Sequence, residues 1–205
     1  MREPRLLLAT RNPGKIREIR SELAGVPVRL LCCDDLQDWP ELREEGETFE
    51  DNALAKAARL ARWADLPALA DDSGLEVDAL GGEPGVRSAR FAGEHGDDAA
   101  NIDLLLRRMR GLPRGKRRAR FVCVLALASP AGEGFVIRET CEGSIAAAPR
   151  GAGGFGYDPV FVPEGEKRTM AELTLEEKNA ISHRGKALRH LRALLEAGEP
   201  AWLFV

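Results

Sequence analysis

The chain's pattern predicts an α/β fold, and three observations lead there. Apolar runs of strand length alternate with stretches whose apolar residues recur every three or four positions. Gly, Pro, Asn and Asp punctuate the junctions, as turns require. The 205 residues contain no internal repeat or low-complexity linker, and they suffice for one substantial core or a tightly joined pair.

Composition then excludes several classes. With 44% apolar and 31% charged residues, the chain reads as globular. Its longest apolar runs are far short of the roughly 20 residues that span a bilayer, and no signal-like segment follows Met1. No membrane association and a cytoplasmic location are expected. Cys32, Cys33, Cys123 and Cys141 include no C-x-x-C, so neither zinc nor a disulfide framework is suggested. A net charge of −3 argues against a nucleic-acid partner, although Arg114-Gly115-Lys116-Arg117-Arg118-Ala119-Arg120 is locally basic. That run reads as a solvated loop before a strand.

In chain order, residues 5–10 read as a buried strand, followed by Ile16, Ile19 and Leu23 at helical spacing. The turn between them, Arg11-Asn12-Pro13-Gly14-Lys15, would bring free backbone N–H groups and a cation to a helix N-terminus, which suits an anion. The G-x-x-x-x-G-K-[ST] loop is absent, so a phosphate there would rely on Thr10, Asn12, Lys15 and backbone. Such turns are also common without any ligand.

Residues 28–33 read as a second strand, and an acidic, Pro-containing loop runs from 34 to 46. Thr48-Phe49-Glu50-Asp51 has the form of a capping box opening a helix to about residue 64. Ala53, Leu54, Ala57, Leu60, Ala61 and Ala64 would supply its apolar side. Asn52 and Lys56, four apart, share one helical face. Lys56 is either a solvated lysine or part of a charge cluster with nearby acids, to which Glu44 or Glu45 could also belong.

The stretch Ala70-Asp71-Asp72-Ser73-Gly74 follows a short apolar run, so it would lie where a buried strand ends. Two readings fit it. Adjacent carboxylates at the mouth of a core element could hold a hard metal ion and act as a general base. Equally, Asp, Ser and Gly are ordinary turn formers.

Residues 75–80 alternate as a half-exposed strand would, before a turn at 81–85 and a basic loop at 86–93. Asp97 or Asp98 can cap a helix with Ile102, Leu105, Leu106 and Met109 on its core face. Residues 119–129 and 135–143 then read as a hairpin, with Phe121, Cys123, Leu125 and Leu127 alternating onto one face.

The loop Gly151-Ala152-Gly153-Gly154-Phe155-Gly156-Tyr157-Asp158-Pro159 places two rings, one of them the chain's sole tyrosine, among glycines. Glycines allow close backbone approach, and a ring could stack on a base for roughly 1–3 kcal/mol. Alternatively, both rings anchor a turn in the core. Farther on, Ser182 can cap a final helix with Leu188, Leu191, Leu194 and Leu195 as its buried stripe. His183 and Arg184 would then oppose the helix dipole, which an anion or base site would tolerate. The apolar tail, Trp202-Leu203-Phe204-Val205, is expected to dock.

Five blocks in order carry a family resemblance: Ala9-Thr10-x-Asn12-x-x-Lys15; Glu44-x-Gly46-x-Thr48-Phe49-x-x-Asn52-Ala53-x-x-Lys56; Ala70 to Gly74; Gly154-Phe155-Gly156-Tyr157-Asp158-Pro159; and Ser182-His183-Arg184. From about residue 6 to 195 the chain resembles the inosine/xanthosine triphosphate pyrophosphatase family. The resemblance implies an elongated mixed central β-sheet with flanking helices, two lobes around a cleft within a single domain, and a homodimer. It implies Mg²⁺-dependent hydrolysis of ITP, dITP, XTP and dXTP to monophosphate and pyrophosphate. Carried over, Thr10, Arg11, Asn12, Pro13, Gly14 and Lys15 would hold the triphosphate. Glu44 and Asp72 would hold the metal, with Asp72 also accepting a proton and Asp71 in support. Lys56 and Ser73 would touch phosphate. Phe155, Gly156, Tyr157 and Asp158 would contact the nucleoside, and Lys178, His183 and Arg184 would read the base.

A buried donor aimed at the 6-oxo group of hypoxanthine or xanthine would face the amino group of adenine donor to donor, an unpaired contact costing a few kcal/mol. Rejecting guanine must rest on the 2-position. An aspartyl-nucleophile phosphatase is disfavoured because the D-x-D spacing is missing. A silent nucleotide-binding module would not need Glu44, Asp71 and Asp72 together.

Overall fold

In the computed structural model, which describes residues 4–32, 35–36, 40–42, 44–94 and 96–204, the chain opens with strand β1 (Arg5–Leu8). Its Leu6, Leu7 and Leu8 are fully buried, as a parallel central strand requires. Helix α1 (Pro13–Glu22) follows, with Pro at the start of the helix and Asn12 as N-cap. Strand β2 (Arg29–Leu31) pairs in parallel with β1. Cys33, expected at the end of that strand, and part of the loop after it lie outside the described residues.

Helix α2 (Phe49–Ala64) begins at Thr48, whose side chain accepts from the Asp51 N–H. Such a cap is worth about 1 kcal/mol. Ala53, Ala57, Leu60 and Ala61 form the buried stripe, with Asn52 and Lys56 buried beside it. Leu54, expected on that stripe, is instead exposed, because position 54 turns away from the 53/57/60 line.

Strand β3 (Ala68–Val77) departs most from the expectation. It runs unbroken through Asp71, Asp72, Ser73 and Gly74, so the acids lie mid-strand and the turn reading is overturned. The strand ends at Val77, and residues expected to continue it form a 3₁₀ turn, Asp78–Leu80. A second 3₁₀ segment, Gly85–Arg90, replaces the expected basic loop.

Helix α3 (Asp98–Arg108) leads to strands β4 (Arg118–Ala128) and β5 (Gly134–Ile145), the expected hairpin. From Phe121 to Ser129 every residue is buried, so β4 is covered on both faces instead of alternating. Arg117, expected in a solvated loop, is buried and donates to the carbonyls of Met109, Ile145 and Ala146. Strand β6 (Phe161–Pro163) is antiparallel to β5, and helices α4 (Leu175–Ile181) and α5 (His183–Glu196) complete the chain.

The sheet order is β2-β1-β3-β4-β5-β6, with parallel pairs around β1 and an antiparallel pair at β6, so the α/β class with a mixed sheet and flanking helices is borne out. Two compact units divide the chain. One comprises residues up to Asp72, Cys123–Glu139 and those from Arg184 onward; the other comprises Ser73–Val122 and Thr140–His183. Each has its own apolar core. In the first unit Leu6, Leu8, Ile19, Leu69, Leu125 and Leu191 pack together, and Trp202, Leu203 and Phe204 dock there as expected, while Val205 of that tail lies outside the described residues. In the second, Leu75, Leu105, Phe121, Tyr157 and Phe161 do so. No helix among the described residues is long and apolar enough to cross a membrane.

Candidate active site

The first unit gathers an unusual density of buried charge around β3. Successive strand residues point to opposite faces, so adjacent carboxylates meet different neighbours. Asp71 Oδ2 accepts from Arg184 Nε at 2.7 Å, and Asp71 Oδ1 lies 2.6 Å from Lys15 Nζ. Cys123 Sγ is 3.4 Å from Asp71 Oδ2, and Arg184 Nη1 donates to Glu18 Oε2 at 2.6 Å. Burial alone would raise the Asp71 pKa, but the Arg184 and Lys15 charges overcome it and hold this carboxyl well below the usual range. Asp71 is therefore a fixed anion.

Asp72 meets one ammonium directly, with the Lys15 charge acting from farther away. Lys56 Nζ lies 2.6 Å from Asp72 Oδ1 and 2.8 Å from Glu44 Oε1, and also donates to the Asp71 carbonyl at 3.1 Å. Burial pushes Asp72 up, Lys56 pulls it down, and the neighbouring Glu44 charge pushes it up again, to about 6. Glu44 is also penalised by burial, but Lys56 brings it down to about 2. Burial lowers the Lys56 pKa, yet its two carboxylates more than reverse this, so the ammonium stays charged. Two neighbouring acids pushed to opposite sides of their ordinary values form an acid/base pair by environment.

Local structure explains how Glu44 reaches this point. Asn52 Oδ1 accepts from the Gly46 N–H at 2.8 Å, clipping the loop to α2 one turn before Lys56. A Cβ on Gly46 would sit 2.8 Å from that same oxygen, so the clip requires glycine. Two neighbouring carboxylates, here both bound to the Lys56 ammonium, are hard-oxygen donors of the kind that suits Mg²⁺, which takes one or two carboxylates plus phosphates rather than an all-protein cage. Among the described residues no group of three or more His, Cys, Asp or Glu clusters as a self-contained metal site.

At the start of α1 the expected free N–H groups are partly occupied. Asn12 Oδ1 accepts from Gly14 N and Lys15 N, and Thr10 Oγ1 accepts from Asn12 N. Arg11, Asn12 and Pro13 are exposed, and Thr10 and Gly14 half-buried. An anion would meet the Lys15 charge and an Asn12 side chain that must yield its cap.

The second unit holds the remaining residues. Asp158 is buried and accepts from Phe155 N at 2.9 Å and from Lys178 Nζ at 2.5 Å. The same ammonium lies 4.7 Å from the centroid of the half-buried Phe155 ring. Tyr157 is different: it is buried in the core and its hydroxyl donates to the Ser88 carbonyl at 2.9 Å, so its ring anchors the loop. Burial and the Asp98 charge raise its pKa. His183 stacks on Phe121, centroids 4.7 Å apart, and Ser73 is half-buried on β3. Of the expected base readers, Lys178 and His183 lie in this unit, whereas the Arg184 guanidinium belongs to the Asp71 cluster.

Sequence reasoning missed Glu18 and Cys123. Glu18 follows Lys15 by three positions on α1, a shared-face spacing that could have flagged it. Cys123 gave no signal, since its partner lies fifty-two residues away.

Residues 6–194 match the model of the Ham1 family. A dITP/XTP pyrophosphatase of Streptomyces avermitilis is 55% identical over 189 residues, covering 91% of this chain and 94% of that protein. Another from Symbiobacterium thermophilum is 52% identical over 202 residues, covering 97% and 100%. Among solved structures, a HAM1 protein from Coxiella burnetii superposes with a TM-score of 0.86 at 40% identity, covering 95% of this chain and 99% of that one. A nucleoside-triphosphatase, or dITP/XTP pyrophosphatase, from Mycobacterium abscessus gives 0.74 at 50% identity, covering 91% and 98%.

Proposed function

The chain belongs to the Ham1 family, and from that premise we propose that it hydrolyses ITP, dITP, XTP and dXTP to the nucleoside monophosphate and pyrophosphate, clearing deaminated purines from the nucleotide pool. One observation carries the reading. Adjacent residues of one strand are tuned apart, Asp71 locked as an anion by Arg184 and Lys15, and Asp72 left near about 6 beside Glu44 and Lys56. A group poised near neutrality can take a proton from water, and a permanently ionised neighbour can hold two cations in place.

In this reading Asp72 orients water and accepts its proton as the oxygen attacks phosphorus, while the departing pyrophosphate is neutralised by Lys15 and Lys56. Glu44 and Asp72 would hold Mg²⁺, which when bound supplies polarisation of the phosphoryl oxygens. The two carboxylates lie close enough to share the Lys56 ammonium, which supports that assignment with Lys56 beside the ion. Phe155 offers the ring for base stacking, and Lys178, oriented by Asp158, offers a donor toward a 6-oxo group. Asp71, Arg184 and Glu18 act through Lys15 as positioning residues. The homodimer and the cytoplasmic location implied by the resemblance belong to the same proposal.

Product analysis tests it. Incubated with Mg²⁺ and ITP or XTP, the chain should yield pyrophosphate and monophosphate, with far slower turnover of ATP and GTP. Orthophosphate as the first product, or no turnover at all, would refute the reading.

A further inference from the structure

Helix α3 starts with two aspartates, and the structure gives them different tasks. Asp97 is the N-cap, its Oδ1 accepting from the Ala100 N–H at 2.9 Å. Asp98 is thereby free of capping, and its Oδ2 accepts the Gly156 N–H at 2.6 Å, joining residues 58 apart. That amide belongs to the peptide directly after Phe155.

The surroundings show why this peptide needs a tether. On one side the loop rests on the Ala171 carbonyl through Gly153 N, and Gly151 approaches Ala171 so closely that a Cβ would lie 2.5 Å from its backbone. On the other side, Tyr157 is fixed through its hydroxyl to Ser88, and Asp158 is buried with Lys178. Between these anchors Gly154 and Gly156 both have positive φ, 72° and 59°; the Phe155 N–H is held by Asp158 Oδ2, and the Asp98 bond holds the peptide on the other side of the residue that carries the ring. Asn101, one turn along α3, ties the helix to the Ala89 carbonyl of the Gly85–Arg90 segment and to the Ala92 N–H just after it, so the Asp98 carboxylate projects from a braced support.

We infer that Asp98 is a positioning residue for nucleotide binding: by holding the Gly156 amide it sets the Phe155 ring in place for stacking on the purine. The inference rests on the proposed nucleotide hydrolysis and extends it to a residue outside the five motif blocks. In this scheme Asp98 acts by fixing the backbone that carries the ring. Its loss therefore weakens binding of substrate and transition state alike, which appears in KM and not in kcat.

The test compares Asp98→Ala, Asp98→Asn, Phe155→Ala and the Asp98→Ala/Phe155→Ala double variant, with pyrophosphate release from ITP by the native chain as reference. A lost charge-assisted hydrogen bond predicts that Asp98→Ala raises KM about tenfold, with kcat within about twofold. Asparagine keeps an acceptor and should restore most of the loss. In the Phe155→Ala background, Asp98→Ala should change KM by less than about twofold, since the ring it positions is gone. Amide exchange at Gly156 should also accelerate in Asp98→Ala at an unchanged melting temperature. An unaltered KM, full additivity in the double variant, or a kcat loss that tracks a lowered melting temperature would overturn the inference. Failure of the native chain to release pyrophosphate would instead overturn the function on which it rests, a separate outcome.

Discussion

Lys56 and Asp72 meet across 2.6 Å, an ammonium from the middle of a helix against a carboxylate from the middle of a strand. Both side chains are 6% exposed, so neither can be re-solvated in place if the other is removed. Lys56→Met should therefore raise the Asp72 pKa further and lower kcat/KM by about a hundredfold or more. The acid limb of the pH–rate profile should move to higher pH; an unmoved limb would mean that the two groups are not coupled in solution.

Asp72 also bears on stability. Its folded pKa of about 6 exceeds the ordinary 3.8, so between these values the folded form holds a proton that the unfolded form has lost. Stability from this group is lost as pH rises through that window. Asp72→Asn takes a carboxylate from the buried Lys56 but abolishes this titration, so the stability of the metal-free variant relative to the native chain should rise by on the order of 1–3 kcal/mol between pH 4 and pH 7. A difference in melting temperature that does not change with pH would contradict this.

Metal dependence follows the same sign. Asp72 accepts a proton only when ionised, so at limiting Mg²⁺ activity should fall as pH drops through about 6. A divalent cation at Glu44 and Asp72 favours the ionised form, which should move that limb to lower pH as Mg²⁺ is raised. A limb independent of Mg²⁺ concentration would argue against Asp72 as a ligand.

Gly154 tests the base side. Its φ is +72°, and a Cβ there would lie 2.0 Å from Asp158 Oδ2, the oxygen that receives Lys178. Gly154→Ala should destabilise the fold by about 1–3 kcal/mol through backbone strain. It should also reduce the preference for ITP over ATP, because Asp158 and Lys178 must shift together. Unchanged selectivity would separate Lys178 from base recognition.

The helical face of Asn52 and Lys56 was legible in the sequence because a four-residue spacing on a capped helix fixes a shared side. The strand through Asp71 and Asp72 was not. Adjacent carboxylates look like a strand end by polarity, and what keeps them inside a sheet is charge from Lys56 at Asp72 and from Lys15 and Arg184 at Asp71, the last 113 residues away. Arg184 illustrates the same limit: the motif Ser182-His183-Arg184 is continuous in sequence, yet His183 stacks on Phe121 while Arg184 binds Asp71 and Glu18. The loop around Tyr157 leaves two readings open, a base-stacking ring or a core anchor, and for Tyr157 the structure gives the core anchor.

The most direct measurement is the rate of pyrophosphate release from ITP under saturating Mg²⁺, native chain against Asp72→Asn. With Asp72 as proton acceptor, the substitution should reduce kcat by about 10²–10⁴-fold while the protein stays folded and still binds nucleotide. Pyrophosphate release at the native rate would contradict the account, because the carboxylate that the buried charges of β3 single out would have no part in the reaction.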